Sequence, residues 1–211
     1  VKKLRVLGQE IPLKISHSSL EVFQCPLRVK LIYVDRVKDR QVHVAAEKGS
    51  AVHAAIEDLI SLCLERKIQP RELSIDEVSR SVEKNLPAHI ASEAGEVLSW
   101  TKLWAERYQV SKHIYGHEEK LAIDDEFEEI EWDKASYRGI LDVVDVDRDH
   151  LTVTDWKSQA HILNQSELDN HDQLTMYCWL ASKIYPDIKT FTARIWYLRY
   201  GFAAETRRTR E

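Results

Sequence analysis

The chain has 211 residues, enough for one substantial core or at most two small ones. Hydrophobic residues make up 44% and charged residues 31%, the mix of an ordinary globular protein, and no apolar run approaches the roughly 18 residues of a membrane span. A net charge of -5 argues against a uniformly basic nucleic-acid binder.

The charge is unevenly spread. Lys2, Lys3, Arg5, Lys14, Arg28, Lys30, Arg36, Lys38 and Arg40 outnumber Glu10, Glu21, Asp35 and Asp39 at the start. From Glu118 to Asp149 acids dominate, and Arg207, Arg208 and Arg210 turn the tail basic again. Basic flanks around an acidic centre suit an enzyme that grips a polyanion and holds a cation, although solvated faces would give the same pattern. Val1-Lys2-Lys3-Leu4 leads into mixed sequence, so no signal peptide is expected, and the missing initiator Met leaves room for a longer parent chain. Cys25, Cys63 and Cys178 are too scattered for a zinc pair or a disulfide framework, which fits a reducing cytoplasm. Cys63 and Cys178 sit in apolar helical patterns and are expected to be buried.

In chain order, Ser18-Ser19-Leu20-Glu21 has a capping-box pattern, opening a helix that should kink or end near Pro26. Val52, Ile56, Leu59 and Cys63 recur at helical spacing and predict a helix over Lys48 to Lys67. Ser74 to Glu77 is a second capping box, with a stop near Pro87, and a further amphipathic helix is expected from about Ser92 to His113. The period then changes. Lys120 to Ile123 begins a strand, and Tyr137 to Val146 and Leu151 to Lys157 are two more. A helix from about Glu167 to Tyr185 stops at Pro186, and Thr190 to Tyr200 forms a last strand. Without a repeat or linker, this order reads as one mixed α/β domain over residues 1–211, helical to about 113 and strand-rich from about 114 to 205.

Asp147-Arg148-Asp149-His150 suits a hairpin connection, so that Val146 pairs with Leu151 and partner numbers sum to 297. Asp142 then opposes Asp155 on one face of the sheet, at a Cβ separation of roughly 5 Å. Two carboxylates there repel unless a cation lies between them. Lys157 projects from the same face because the strand period is two. The alternative is that the two acids cap strand ends and Lys157 is a surface charge. Asp145, Asp147 and Asp149 imitate an EF-hand loop, but His150 stands where Gly is needed and Trp156 where Glu is needed.

Gly139-Ile140-Leu141-Asp142, Asp155-Trp156-Lys157 and Gln173-Leu174-Thr175-Met176-Tyr177 resemble the core of the PD-(D/E)XK nuclease superfamily. Ser18 to Tyr33 with Cys25-Pro26, and Gly49-Ser50-Ala51-Val52-His53, are similar to elements of its RecB-type branch, which includes CRISPR-associated exonucleases. The resemblance runs from about residue 18 to 201 and implies a mixed central sheet with flanking helices, a restriction-endonuclease-like core behind a helical N-terminal region. It implies His53, Asp142, Asp155 and the Trp156 carbonyl as metal ligands, Lys157 as catalytic lysine, and Glu118 (or Glu119) as the strand-opening acid. Gln173 and Tyr177 would be a helical pair facing the DNA. Many relatives bind an iron–sulfur cluster through a cysteine like Cys25 and three near the C-terminus; no cysteine follows Cys178, so none is expected in this chain. The function implied is Mg²⁺- or Mn²⁺-dependent DNA hydrolysis, exonucleolytic rather than endonucleolytic, in repair, recombination or defence, with a possible helicase or CRISPR/recombination partner. The competing reading is a nuclease-fold protein that binds DNA or a scaffold partner without cutting.

Overall fold

A computed structural model describes residues 3–6, 9–12, 14–37 and 43–210. Lys2, Lys38 and Arg40 of the basic N-terminal group lie outside the described residues, as does the side chain of Lys3. A two-stranded ribbon, β1 (Lys3–Val6) and β2 (Gln9–Pro12), comes first. Helix α1 (His17–Phe23) is capped by Ser16, whose hydroxyl accepts from Ser19 N, so the box opens two residues earlier than the Ser18 pattern suggested. A short α2 (Pro26–Val29) restarts at Pro26 and passes into a wide turn over Lys30–Val34. Proline is well suited to that first helical position because it has no N–H to leave unsatisfied.

Helix α3 (Val44–Arg66) buries Val52, Ile56, Leu59, Ile60 and Cys63 along one stripe. Lys67 ends it in the left-handed region (φ 58), donating its N–H to Cys63 O and Leu64 O. Helix α4 (Ile75–Asn85) begins at the Ser74/Glu77 box. Helix α5 (Ala94–Arg107) follows a 3₁₀ stretch and buries Val97, Trp100 and Trp104. It stops well before His113, because Tyr108 turns extended and buries its ring against Trp104, Trp156 and Trp196.

The second half is a five-stranded sheet in the order β3 (Ile114–Ile123), β4 (Tyr137–Asp147), β5 (His150–Lys157), β6 (Thr190–Tyr197), β7 (Phe202–Thr209). Residues Lys120 to Ile123 therefore end a strand that starts at Ile114. All pairings are antiparallel except β5 with β6. That parallel pair needs a crossover, supplied by α6 (Gln165–Asp169) and α7 (Asp172–Ile184). The single helix expected over Glu167 to Tyr185 is broken at Asn170-His171, where His171 becomes the cap of α7.

Two apolar layers sandwich the sheet. One joins α3, α4 and α5 to Val143, Trp156 and Leu198. The other packs α7 against Leu121, Leu141, Val144, Leu151, Val153 and Ile195. Cys63 and Cys178 are buried as expected, whereas Cys25 is half-exposed. Two of the three basic tail residues are tied to the fold: Arg208 donates to Leu168 O and Asp169 O, and Arg210 to Ser182 O, Pro186 O and Ile188 O. No described helix is long and apolar enough to cross a membrane.

Candidate active site

The site sits in a fork between β4 and β5. The strands pair from Asp147↔His150, across the Arg148-Asp149 turn, to Val143↔Thr154. Partner numbers sum to 297 as the sequence indicates, but the connection is tighter than expected and the ladder ends one pair short of Asp142 and Asp155. Asp142 instead reaches across the gap, and its Oδ2 accepts from Trp156 N at 2.6 Å. A charged acceptor thus replaces the carbonyl that a continued ladder would have supplied.

Alternation in β4 breaks at this point. Leu141 and Val144 both pack in the α7 layer, while Val143 turns toward the helices. Across the strand pair, His117↔Val143 and Glu119↔Leu141 put Glu118 opposite Asp142, and Glu118 has a positive φ of 51. A non-glycine residue in that region is costly unless its surroundings hold it there.

Asp155 and Lys157 project from β5 toward α7. Asp155 is 3% exposed; its Oδ1 accepts from Gln173 Nε2 at 3.0 Å and its Oδ2 faces Lys157 Nζ at 2.8 Å. Lys157 Nζ also donates to Gln173 Oε1 at 2.8 Å, and Gln173 Nε2 lies 2.7 Å from the Tyr177 hydroxyl. Only one orientation of the Gln173 amide accepts from an ammonium and donates to a carboxylate, so the network fixes it. The helical pair therefore clamps the strand residues as well as lining the site. Trp156, between Asp155 and Lys157, points its indole the opposite way into the aromatic cluster.

Helix α3 closes the other side. His53 Nδ1 lies 3.5 Å from Asp142 Oδ1. A cleft of about 480 Å³ runs beside it, lined by Gly49, His53, Glu57, Glu118, Ile140 and Asp142. Glu118 faces this cleft, while the Glu119 side chain folds back on Gly116. Glu57 was not singled out in the sequence. It lies four positions after His53, hence on the same helix face, and that spacing is the signal that could have found it.

Burial pushes the Asp155 carboxyl above the usual range; Lys157 opposes that shift and Asp142 reinforces it. Glu118 is raised likewise, by burial and then by Asp142 and Glu57. For His53, burial works against the imidazolium, but the hydrogen bond and charge of Asp142, aided by Asp155, outweigh it and raise its pKa. The fork is short of positive charge. Among the described residues no three His, Cys, Asp or Glu side chains form a ready-made cage for a cation. The donor chemistry nevertheless fits a hard divalent ion, with carboxylates whose negative charge is poorly solvated beside one imidazole.

Sheet order, fork and donor set together give an acidic centre with a lysine held beside it. The sequence model of the PD-(D/E)XK nuclease superfamily matches residues 14–210, and the chain belongs to that superfamily of metal-dependent nucleases. A comparison with curated proteins gave no match.

Proposed function

We propose that the protein is a DNA phosphodiesterase of the RecB-type branch, acting as an exonuclease with Mg²⁺ or Mn²⁺. The observation that carries this reading is the fork itself: Asp142 and Asp155 flank it, Lys157 is held beside them, and His53 and Glu118 face the same opening. His53, Asp142, Asp155 and the Trp156 carbonyl would hold the ion, with Glu118 next to them. A bound divalent ion polarises the scissile phosphate and lowers the pKa of a nearby water.

The chain's own groups do the remaining work. Lys157, steered by Gln173, places a positive charge where the phosphate becomes more negative. Asp155 lies against Lys157, and its carboxyl, pushed up by burial, gains from a nearby cation. His53 must give up its proton to act as a ligand, which couples ion binding to pH. The preference for exonuclease action, the RecB-type assignment and a role in DNA repair, recombination or defence rest on the motif resemblance.

Digestion of single- and double-stranded DNA labelled at either end, with Mg²⁺ and Mn²⁺ compared, tests the reading. Stepwise loss from one end is expected, and it should vanish in Asp142→Ala, Asp155→Ala and Lys157→Ala. If all three variants cut like wild type, the assignment fails; DNA retention without products under either ion would favour the binding-only alternative.

A further inference from the structure

A second cleft, of about 310 Å³, opens on the other side of Ile140 and shares that residue with the first. Gln173 and Tyr177 form its inner wall, and His17, Trp132 and Arg138 its outer one. None of these outer residues belongs to the acidic fork.

The outer wall is built rather than incidental. Ile15 bridges to β4 beside Tyr137, with Ile15 N donating to Ser136 O at 2.7 Å and Arg138 N to Ile15 O at 2.9 Å. Lys14 Nζ donates to Asp133 O at 2.8 Å, tying down the loop that carries Trp132. The Arg138 guanidinium lies over the Trp132 ring, 4.8 Å from its centroid. Among the described residues no acid pairs with Arg138, which leaves its N–H edge for a ligand. His17 stacks on His171 at 6.3 Å, and burial lowers the pKa of both, which favours the neutral ring.

A flat unpaired cation, an indole and an imidazole in one small cleft suit a base and its phosphate. We propose that this cleft binds one unpaired nucleotide of the DNA strand being cut, next to the scissile phosphate. Arg138 takes that nucleotide's phosphate on its free edge, and Trp132 and His17 supply ring faces for the base. The volume lies at the small end of the roughly 300–1,000 Å³ range of ligand pockets, so a base enters unstacked and a duplex does not. The site thereby selects single-stranded DNA, a refinement that rests on the nuclease reading above.

Binding of labelled single-stranded and blunt duplex oligodeoxynucleotides to the whole chain in EDTA tests this without relying on cleavage. Trp132→Ala should weaken single-strand binding roughly 5- to 150-fold with an unchanged salt slope. Arg138→Ala should also weaken it and should reduce the slope of log K against log salt by about 0.7, the value of one single-strand phosphate contact. Arg138→Lys should keep the slope while losing affinity, and duplex binding should change less than about twofold in all three. Thermal melts identify any variant that is simply unfolded, in which case Trp132→Phe, retaining a ring, should bind close to wild type. The proposal is overturned if folded Trp132→Ala and Arg138→Ala bind the single strand like wild type, or lose single and double strands equally. A protein that binds through this cleft but never cleaves would sink the nuclease reading and leave the subsite standing.

Discussion

Asp142 has two separable jobs, one in the fold and one in the proposed chemistry. Its Oδ2 is the acceptor for the Trp156 N–H at 2.6 Å, and the residue is 9% exposed. Asp142→Ala leaves that N–H without its acceptor, at a cost of about 1–3 kcal/mol for an unsatisfied buried donor. Asp142→Asn keeps a carbonyl oxygen within reach of the same N–H. Both variants remove the negative charge, so relief of repulsion with Asp155 cancels in the comparison. The Ala variant should therefore melt below the Asn variant by roughly 2–12 °C, taking about 2–4 °C per kcal/mol for a chain of this size. Cleavage of end-labelled DNA should be lost in both, because neither offers an anionic ligand. Equal melting temperatures would refute the structural role of the carboxylate, and an active Asn variant would refute its role as a ligand.

Further outcomes follow from other contacts. Gln173→Ala frees Lys157 Nζ and Asp155 Oδ1 from their shared partner and should lower cleavage about 10- to 100-fold. It should also lower the melting temperature, because buried Asp155 Oδ1 loses its donor; steady-state rates at saturating DNA and a melt check both. Glu77 is held down to about 2 by the Ser74 backbone N–H and then by Arg66. Its stabilising contribution is fully present above the ordinary value of 4.5 and is lost as pH falls toward about 2, because the unfolded chain takes up the proton first. Melting curves of wild type and Glu77→Gln should therefore converge on acidification; parallel curves would contradict the assignment. Gly201 has φ 65, and an added Cβ would meet Leu103 Cγ at 2.7 Å and Arg107 Cδ at 2.8 Å. Gly201→Ala should cost about 1–3 kcal/mol in a denaturant melt, with activity per folded molecule unchanged.

The parts of the molecule governed by short-range rules were legible in the sequence. Side-chain alternation and the polar turn were enough to give the β4–β5 register, and the same period put Lys157 beside Asp155. The apolar stripe of α3 and the Ser74/Glu77 box were equally local. What escaped depends on distant partners. Strand β7 reads Phe-Ala-Ala-Glu-Thr-Arg-Arg-Thr, without the β-branched aliphatic alternation of a strand, and pairs along the edge that β6 offers it. The start of β3 was obscured by His117, Glu118 and Glu119, polar residues that line or neighbour the cleft. Nothing local says that β4 and β5 part before Asp142, where the Asp142 side chain takes up the Trp156 N–H instead. The loop that brings Trp132 to Arg138 is tied down by Lys14 and Ile15, from the far end of the chain.

Consecutive residues of β5 belong to opposite sides of the sheet: Asp155 and Lys157 are secured through α7, and Trp156 is anchored among aromatic rings from α5 and β6. The acidic fork is thus a seam between two cores. Loosening either core tilts the same strand and misaligns the carboxylates. Heat should consequently extinguish activity and tertiary structure in a single transition, and mutations that stabilise either layer should extend the working temperature of the site by the same increment.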